Sequence, residues 1–361
     1  MKFTSLHTSL HARLPVLSRS LLGLALATLA ACGSTPPGST AMAPEATSTP
    51  AAAAPAPIKI GIALGGGAAK GFAHIGVIKM LEANGFTPAV VAGTSAGSVV
   101  GALYASGMNA FELQEKAVAL DELKIRDLQL SLGGLILGQK LEDYVNEQVQ
   151  RKTLEQLPKP FVAVATRLED GERTVFARGN TGQAVRASSS IPGVFQPVTI
   201  GRYHFVDGGM TSPVPVDAAR QLGADVVIAV DISNKARGKT PDGLLGTLGQ
   251  SIAIMGQRLG QAELARADVV VRPRVLDMGA TDFGQRAQAI VEGEKAAVAA
   301  MPQIRARVAQ LQAERAQAAQ LVRQQAQKQN AEAEHQACLE NRSRMQKIAG
   351  MAGMDGACPA P

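Results

Sequence analysis

The chain has 361 residues, a formal net charge of +6, 46% hydrophobic and 3% aromatic residues, three cysteines and no tryptophan. That length suits one large domain or two ordinary ones, with chain enough to bury a core. The charge is unevenly placed: +3 falls in residues 1–31 and +3 in residues 301–361, leaving residues 32–300 neutral. A neutral body with so few rings argues against a nucleic-acid reader, which needs a basic face and stacking side chains.

Residues 1–31 carry Lys2, Arg13 and Arg19 and no acid, and the apolar run Leu21–Ala31 is too short to span a bilayer. A basic start, a short apolar run and small residues at its end predict a secretory signal peptide. Leu29-Ala30-Ala31-Cys32 resembles a bacterial lipobox, which would make Cys32 the first mature residue, acylated on its thiol and amine. Several acyl chains on one residue anchor a protein stably where one chain holds only marginally. An ordinary signal peptide with an incidental cysteine, or a buried helix, is the alternative. Gly33 follows the cysteine. By resemblance to sorted lipoproteins this predicts a lipid-anchored protein of the bacterial cell envelope, at the outer membrane and facing the periplasm. Residues 33–57 are almost all Ala, Pro, Ser, Thr and Gly, with six prolines, and read as an extended tether. The predicted organisation is a signal peptide at 1–31, acylated cysteine and linker at 32–57, a domain at 58–300 and a tail at 301–361.

From Ile58 the pattern changes. Lys59–Leu64 reads as a short buried strand broken by Gly65-Gly66-Gly67, and Gly71–Glu82 as a helix. Ala89–Ala92 reads as a second strand, followed after a glycine turn by a helix over Ala96–Ala105. Further strands are predicted at Phe161–Thr166, Thr174–Ala177, Asp225–Asp231 and Asp268–Val271, and helices at Phe111–Val118 and Lys140–Arg151. Alternating strands and helices predict an α/β layered domain with a mostly parallel sheet. Sites in such sheets lie where strands end and helices begin.

Two glycine turns occupy such places. Gly93-Thr94-Ser95-Ala96-Gly97 fits G-x-S-x-G, a cramped strand-to-helix turn that lifts a serine hydroxyl above a sheet at a helix N-terminus. In a chain with 37 glycines the pentapeptide alone leaves Ser95 as either a nucleophile or a helix N-cap. Gly65-Gly66-Gly67-Ala68-Ala69-Lys70-Gly71 exposes successive amides suited to an anion. It supplies neither G-x-G-x-x-G nor a Walker loop, so both nucleotide readings fail. An oxyanion hole built from Gly66, Gly67 and Ala68 remains, with donors worth roughly 3–4 kcal/mol each. Lys70 is either a solvated cation beside the loop or a holder of the anion field. The body has two histidines, His74 and His204; downstream of the candidate acid only His335 follows, in the tail. A Ser–Asp–His order therefore has no histidine to use, and Asp207 of Phe205-Val206-Asp207-Gly208-Gly209 is the economical general base. The competing role for Asp207 is to cap a D-G turn.

These three motifs, in this order, resemble the patatin-like phospholipases. Phe72–Val77 and the segment Ala187–Val198 match that family as well. The resemblance covers about residues 58–300. It implies a three-layer α/β/α fold and a Ser–Asp dyad that hydrolyses membrane lipid acyl esters without metal or cofactor. Carried over by position, Ser95 is the nucleophile, Asp207 the base and Gly66–Ala68 the oxyanion hole, with Gly65, Lys70, Gly71, Gly93, Gly97, Gly208 and Gly209 supporting the motifs. Three departures stand out: Ala68 where a fourth glycine is common, Arg167 where the family often has Asp, and Ser212 where Asn is common. A non-catalytic envelope lipoprotein that binds a partner through fold and tail, and a hydrolase of non-lipid esters or thioesters, are the competing readings.

His74 reads as a helix-packing residue, and His204, three before Asp207, as exposed or structural on the opposite strand face. Leu128–Leu137 reads as core, or else as an acyl pocket or cover. In the tail, Ile304–Gln329 favours a helix with a thin apolar stripe, for which the sequence identifies no protein partner. Cys338 and Cys358 would close a loop of about 20 residues in an oxidising periplasm, worth roughly 3 kcal/mol.

Overall fold

The computed structural model describes residues 57–120, 136–233, 243–279, 281–349 and 357–360. The predicted signal peptide, Cys32 and nearly all of the predicted linker lie outside the described residues, as do positions 128–135 of the leucine-rich stretch.

The strands are β1 (Ile60–Leu64), β2 (Val90–Thr94), β3 (Phe161–Arg167), β4 (Arg173–Phe176), β5 (Val198–Ile200), β6 (Tyr203–Asp207), β7 (Val226–Val230) and β8 (Val269–Val271). They form one sheet in the order β5-β6-β3-β2-β1-β7-β8, with β4 also on β3. The five strands β3, β2, β1, β7 and β8 run parallel. β4, β5 and β6 pair antiparallel. Continuous apolar runs such as Ile-Gly-Ile-Ala-Leu suit β1, which is buried along its whole length.

The helices are α1 (Phe72–Ala83), α2 (Ala96–Ala105), α3 (Ala110–Val118), α4 (Gln139–Gln148), α5 (Thr181–Ser188), α6 (Val216–Gln221), α7 (Gly243–Leu264) and α8 (Arg286–Ala349). Strand alternation assigns them to layers. Ile60, Ile62, Leu64, Ile228 and Val230 pack with side chains of α1, α2, α3, α4, α5 and α8 in the larger core. Ala63, Ala92, Val162, Val164, Val227 and Ala229 pack with α6 and the end of α7 in the smaller one. The result is a three-layer α/β domain.

Two helices differ from the sequence expectation. No element is predicted over Gly243–Leu264, yet five glycines there sit within one 22-residue helix. The tail helix begins at Arg286 rather than Ile304 and runs 64 residues, about 96 Å, past Pro302 without a break. Its first turns are held by α1. Cβ atoms built on Gly76 and Gly293 would stand 1.9 Å from the Ile290 carbonyl oxygen and 2.0 Å from that of Ala73, so only two glycines allow this crossing. Ala289, Ile290, Ala297, Met301 and Ile304 are buried there, and the helix beyond is largely exposed. Gly293→Ala, which helps an isolated helix by about 1 kcal/mol, is expected here to destabilise by about 1–3 kcal/mol through the clash. Urea unfolding measures the sign. Farther along, Cys338 of α8 is disulfide-bonded to Cys358, with Cα atoms 5.9 Å apart.

Candidate active site

The register of β3 brings the site together. β4 covers one edge of β3 over Ala163–Thr166, so β2 and β6 share the other edge. β2, running parallel, ends with Thr94 opposite Val164; β6, running antiparallel, ends with Asp207 opposite Ala165. The two strand ends meet head-on at neighbouring positions of β3. Ser95 follows one end and Asp207 closes the other.

Ser95 stands at φ +53°, ψ −125°, between β2 and α2. This is a left-handed backbone that costs a non-glycine residue about 1–3 kcal/mol and must be held by its surroundings. Gly97 is one reason the turn closes: a Cβ there would lie 2.1 Å from the Leu64 carbonyl oxygen. Ser188 is another. Its Oγ accepts from the Ser95 amide at 2.9 Å and donates to the Val164 carbonyl at 2.6 Å. The Ser95 carbonyl in turn accepts from the Ser98 hydroxyl at 2.7 Å.

The Ser95 side chain lies close enough to the Asp207 carboxyl to favour its charged form. Oδ1 of Asp207 also accepts from the Gly209 amide at 2.7 Å, while Thr166 donates to the Asp207 carbonyl at 3.0 Å. Burial pushes the Asp207 carboxyl up to about 6, against the downward pull of the Ser95 and Gly209 hydrogen bonds. A buried carboxylate of raised basicity beside a serine hydroxyl can take that proton near neutral pH.

The glycine loop runs alongside. A Cβ on Gly66 would be 3.2 Å from that of Ser95. The Gly66 amide, however, donates to the Pro213 carbonyl at 3.0 Å, and that of Gly65 to Val230 at 3.1 Å. Gly66 thus differs from its expected part: its N–H holds the loop to the segment after Asp207. The amides of Gly67 and Ala68 have no protein acceptor among the described residues and open the short 3-10 helix Ala68–Gly71. Ala68 takes φ +51°, which explains the ease of glycine at this position. Lys70 is buried, so its reading as a solvated cation is corrected.

The histidines sit elsewhere. His74 is buried, its Nε2 donating to the Gly65 carbonyl at 2.8 Å, and burial lowers it to about 4. It braces the loop as a neutral ring. His204 is exposed beside Glu169 at 2.8 Å. Ser188 lies in a serine run that sequence patterning gives no role, and no motif marks Glu263 of α7. Glu263 is buried, accepts from the Ser212 hydroxyl, and takes the Val214 amide at 2.8 Å.

Fold and site together define a class: a three-layer α/β domain whose strand-to-helix turn sets a serine between a buried carboxylate and a loop of free amides. Residues 62–220 match the family model described as Patatin-like phospholipase. An uncharacterized NTE family protein of Mycobacterium tuberculosis is 37% identical over 186 residues, 51% of this chain and 52% of that protein. Patatin-like phospholipase domain-containing protein 6 of Mus musculus is 32% identical over 184 residues, 49% of this chain and 14% of that protein. The chain thus spans about half the length of the first of these relatives. Among solved structures, VipD from Legionella pneumophila aligns over 69% of this chain and 67% of its own at 15% identity, with a TM-score of 0.47.

Proposed function

We propose that the protein is a serine lipid acyl hydrolase of the bacterial envelope, tethered through acylated Cys32. The observation that carries this reading is the meeting of the two strand ends that bear Ser95 and buried Asp207, beside the Gly67 and Ala68 amides that have no protein acceptor among the described residues. Ser95 Oγ attacks the ester carbonyl as its proton passes to Asp207, and the two amides hold the oxyanion. The C–O bond breaks, and the leaving alcohol takes the proton from Asp207. Water then attacks the acyl-serine, again giving a proton to Asp207, and the fatty acid departs with Ser95 restored.

The match of residues 62–220 to the Patatin-like phospholipase model supports lipid acyl esters as the substrate class. The lipobox-like Leu29–Cys32 and the cation-bearing segment before it support the tether. No described helix is long and apolar enough to cross a membrane. The expected result is release of fatty acid from phospholipid vesicles, and mass-spectrometric acylation at Cys32 that Cys32→Ala abolishes together with membrane association. Turnover of soluble esters or thioesters without vesicle hydrolysis would replace the lipid reading. Failure of a fluorophosphonate to label Ser95 would replace the enzyme reading with a partner-binding lipoprotein.

A further inference from the structure

Glu263 is a buried carboxylate that the acyl-transfer steps leave unused. It lies one residue before the end of α7 and reaches the segment that leads away from Asp207. That segment contacts every part of the site. The Ser212 carbonyl accepts from the Thr94 hydroxyl at 2.8 Å, next to the nucleophile. The Pro213 carbonyl accepts the Gly66 amide at 3.0 Å, next to the oxyanion donors. Its start, Gly208 and Gly209, is the turn that bonds the Asp207 carboxylate, and the Ser212 amide closes that turn onto the Gly208 carbonyl at 2.8 Å.

Glu263 meets this segment with both oxygens, one on the Ser212 hydroxyl and one on the Val214 amide. The charged groups acting on it are Asp217 of α6 and Arg266, and these two are paired with each other at 2.7 Å, with Arg173 of β4 beside Asp217 at 3.6 Å. Glu263 is therefore held chiefly by hydrogen-bond donors rather than by a cation of its own. Burial pushes its carboxyl up to about 7, the mark of a charge kept in the interior at a cost. Packing alone calls for an apolar residue there; two donors on one strand of backbone call for a two-pronged acceptor.

We propose that Glu263 is a positioning residue: it clamps the Ser212–Val214 segment so that nucleophile, base and oxyanion amides share one frame. The proposal rests on Ser95 and Asp207 acting as a dyad. It also gives Ser212, a departure from the family pattern, a function: its hydroxyl is the donor that a carboxylate on α7 can grip.

The test compares Glu263→Ala, Glu263→Gln and Ser212→Ala with a matched control. Glu82 makes the same pair of bonds away from the site, accepting from the Tyr104 hydroxyl at 2.9 Å and the Ala110 amide at 3.2 Å, so Glu82→Ala reports bridge loss alone. The readouts are hydrolysis of a soluble p-nitrophenyl ester, the rate of fluorophosphonate labelling at Ser95, and the acid limb of the pH profile. Glu263→Ala is expected to lower kcat and the labelling rate together by about 10–100-fold with KM within twofold. Its acid limb is expected to move to lower pH as water reaches Asp207. Ser212→Ala is expected to fall between Glu263→Ala and wild type. Glu263→Gln, which keeps an acceptor for Val214, recovers most of the rate. Glu82→Ala is expected to lower the melting temperature while kcat and the limb stay put. Wild-type kcat in folded Glu263→Ala, or losses that follow only the unfolded fraction, overturns the proposal while leaving the dyad standing. Absence of Ser95 labelling in the wild type overturns both.

Discussion

Ser95→Ala is expected to abolish fluorophosphonate labelling and lower kcat for ester hydrolysis by about 10⁴–10⁶-fold, the loss seen when a nucleophile is removed from a site whose other parts survive. That corresponds to roughly 5–8 kcal/mol of barrier. The neighbouring hydroxyls are poor substitutes because each is already committed: Ser98 to the Ser95 carbonyl and Ser188 to the Val164 carbonyl. The fold has little reason to respond. The Ser95 amide keeps its bond to Ser188, and alanine meets the same left-handed backbone that serine does. The melting temperature is expected to hold or rise slightly, since a strained functional position is commonly maintained against stability. Turnover above 1% of wild type, on a panel of lipid and soluble esters, would place the nucleophile elsewhere.

The parts of this protein that can be read from sequence are those written in local punctuation. Apolar runs stopped by glycine give β1 and β2 to within a residue or two, and α2 at the observed bounds Ala96–Ala105. The two glycine turns are local as well, which is why Ser95 and the loop beside it stand out. What is not local cannot be read so directly. That β6 shares an edge of β3 with β2 is a matter of pairing, and nothing in Tyr203–Asp207 itself specifies its direction. The Gly66 amide looks identical to those of Gly67 and Ala68 in sequence, and only the approach of Pro213 takes it out of the anion cradle. Of the two readings of Lys70, the solvated cation follows from lysine's usual exposure, and here the fold closes over it. α7 is hidden by its own glycines, which mark turns in isolation yet sit here within one helix. Without α7, nothing in the local sequence relates Glu263 to the site. His74 and His204, by contrast, could be set aside on sequence, and their geometry agrees: one braces a loop as a neutral ring, the other lies exposed beside Glu169.

Asp207→Asn is expected to move activity and stability in opposite directions. The wild-type carboxyl is pushed up to about 6 by burial, so the basic form is present above that pH and lost below it. kcat/KM should therefore be flat near pH 8 and fall about tenfold per unit once the pH drops below about 6. An amide cannot take the serine proton, and kcat at pH 8 should fall about 10⁴-fold with no acid limb remaining. His204→Ala should leave both rate and limb as they are, because that ring faces Glu169 on the far side of the strand. Stability follows the other sign. A carboxyl raised from 3.8 to about 6 binds its proton more tightly in the folded chain, so ionisation above pH 6 weakens the fold by about 3 kcal/mol relative to pH below 4. The amide escapes that penalty, and its oxygen can still accept from Gly209. Asp207→Asn should therefore be more stable than wild type at pH 8, with the gap closing as the pH is lowered through 6 toward 4. Paired urea titrations across that range test it. A gap that stays constant with pH would mean that Asp207 is not held at a raised value, and an acid limb that survives in Asp207→Asn would assign the base to another group.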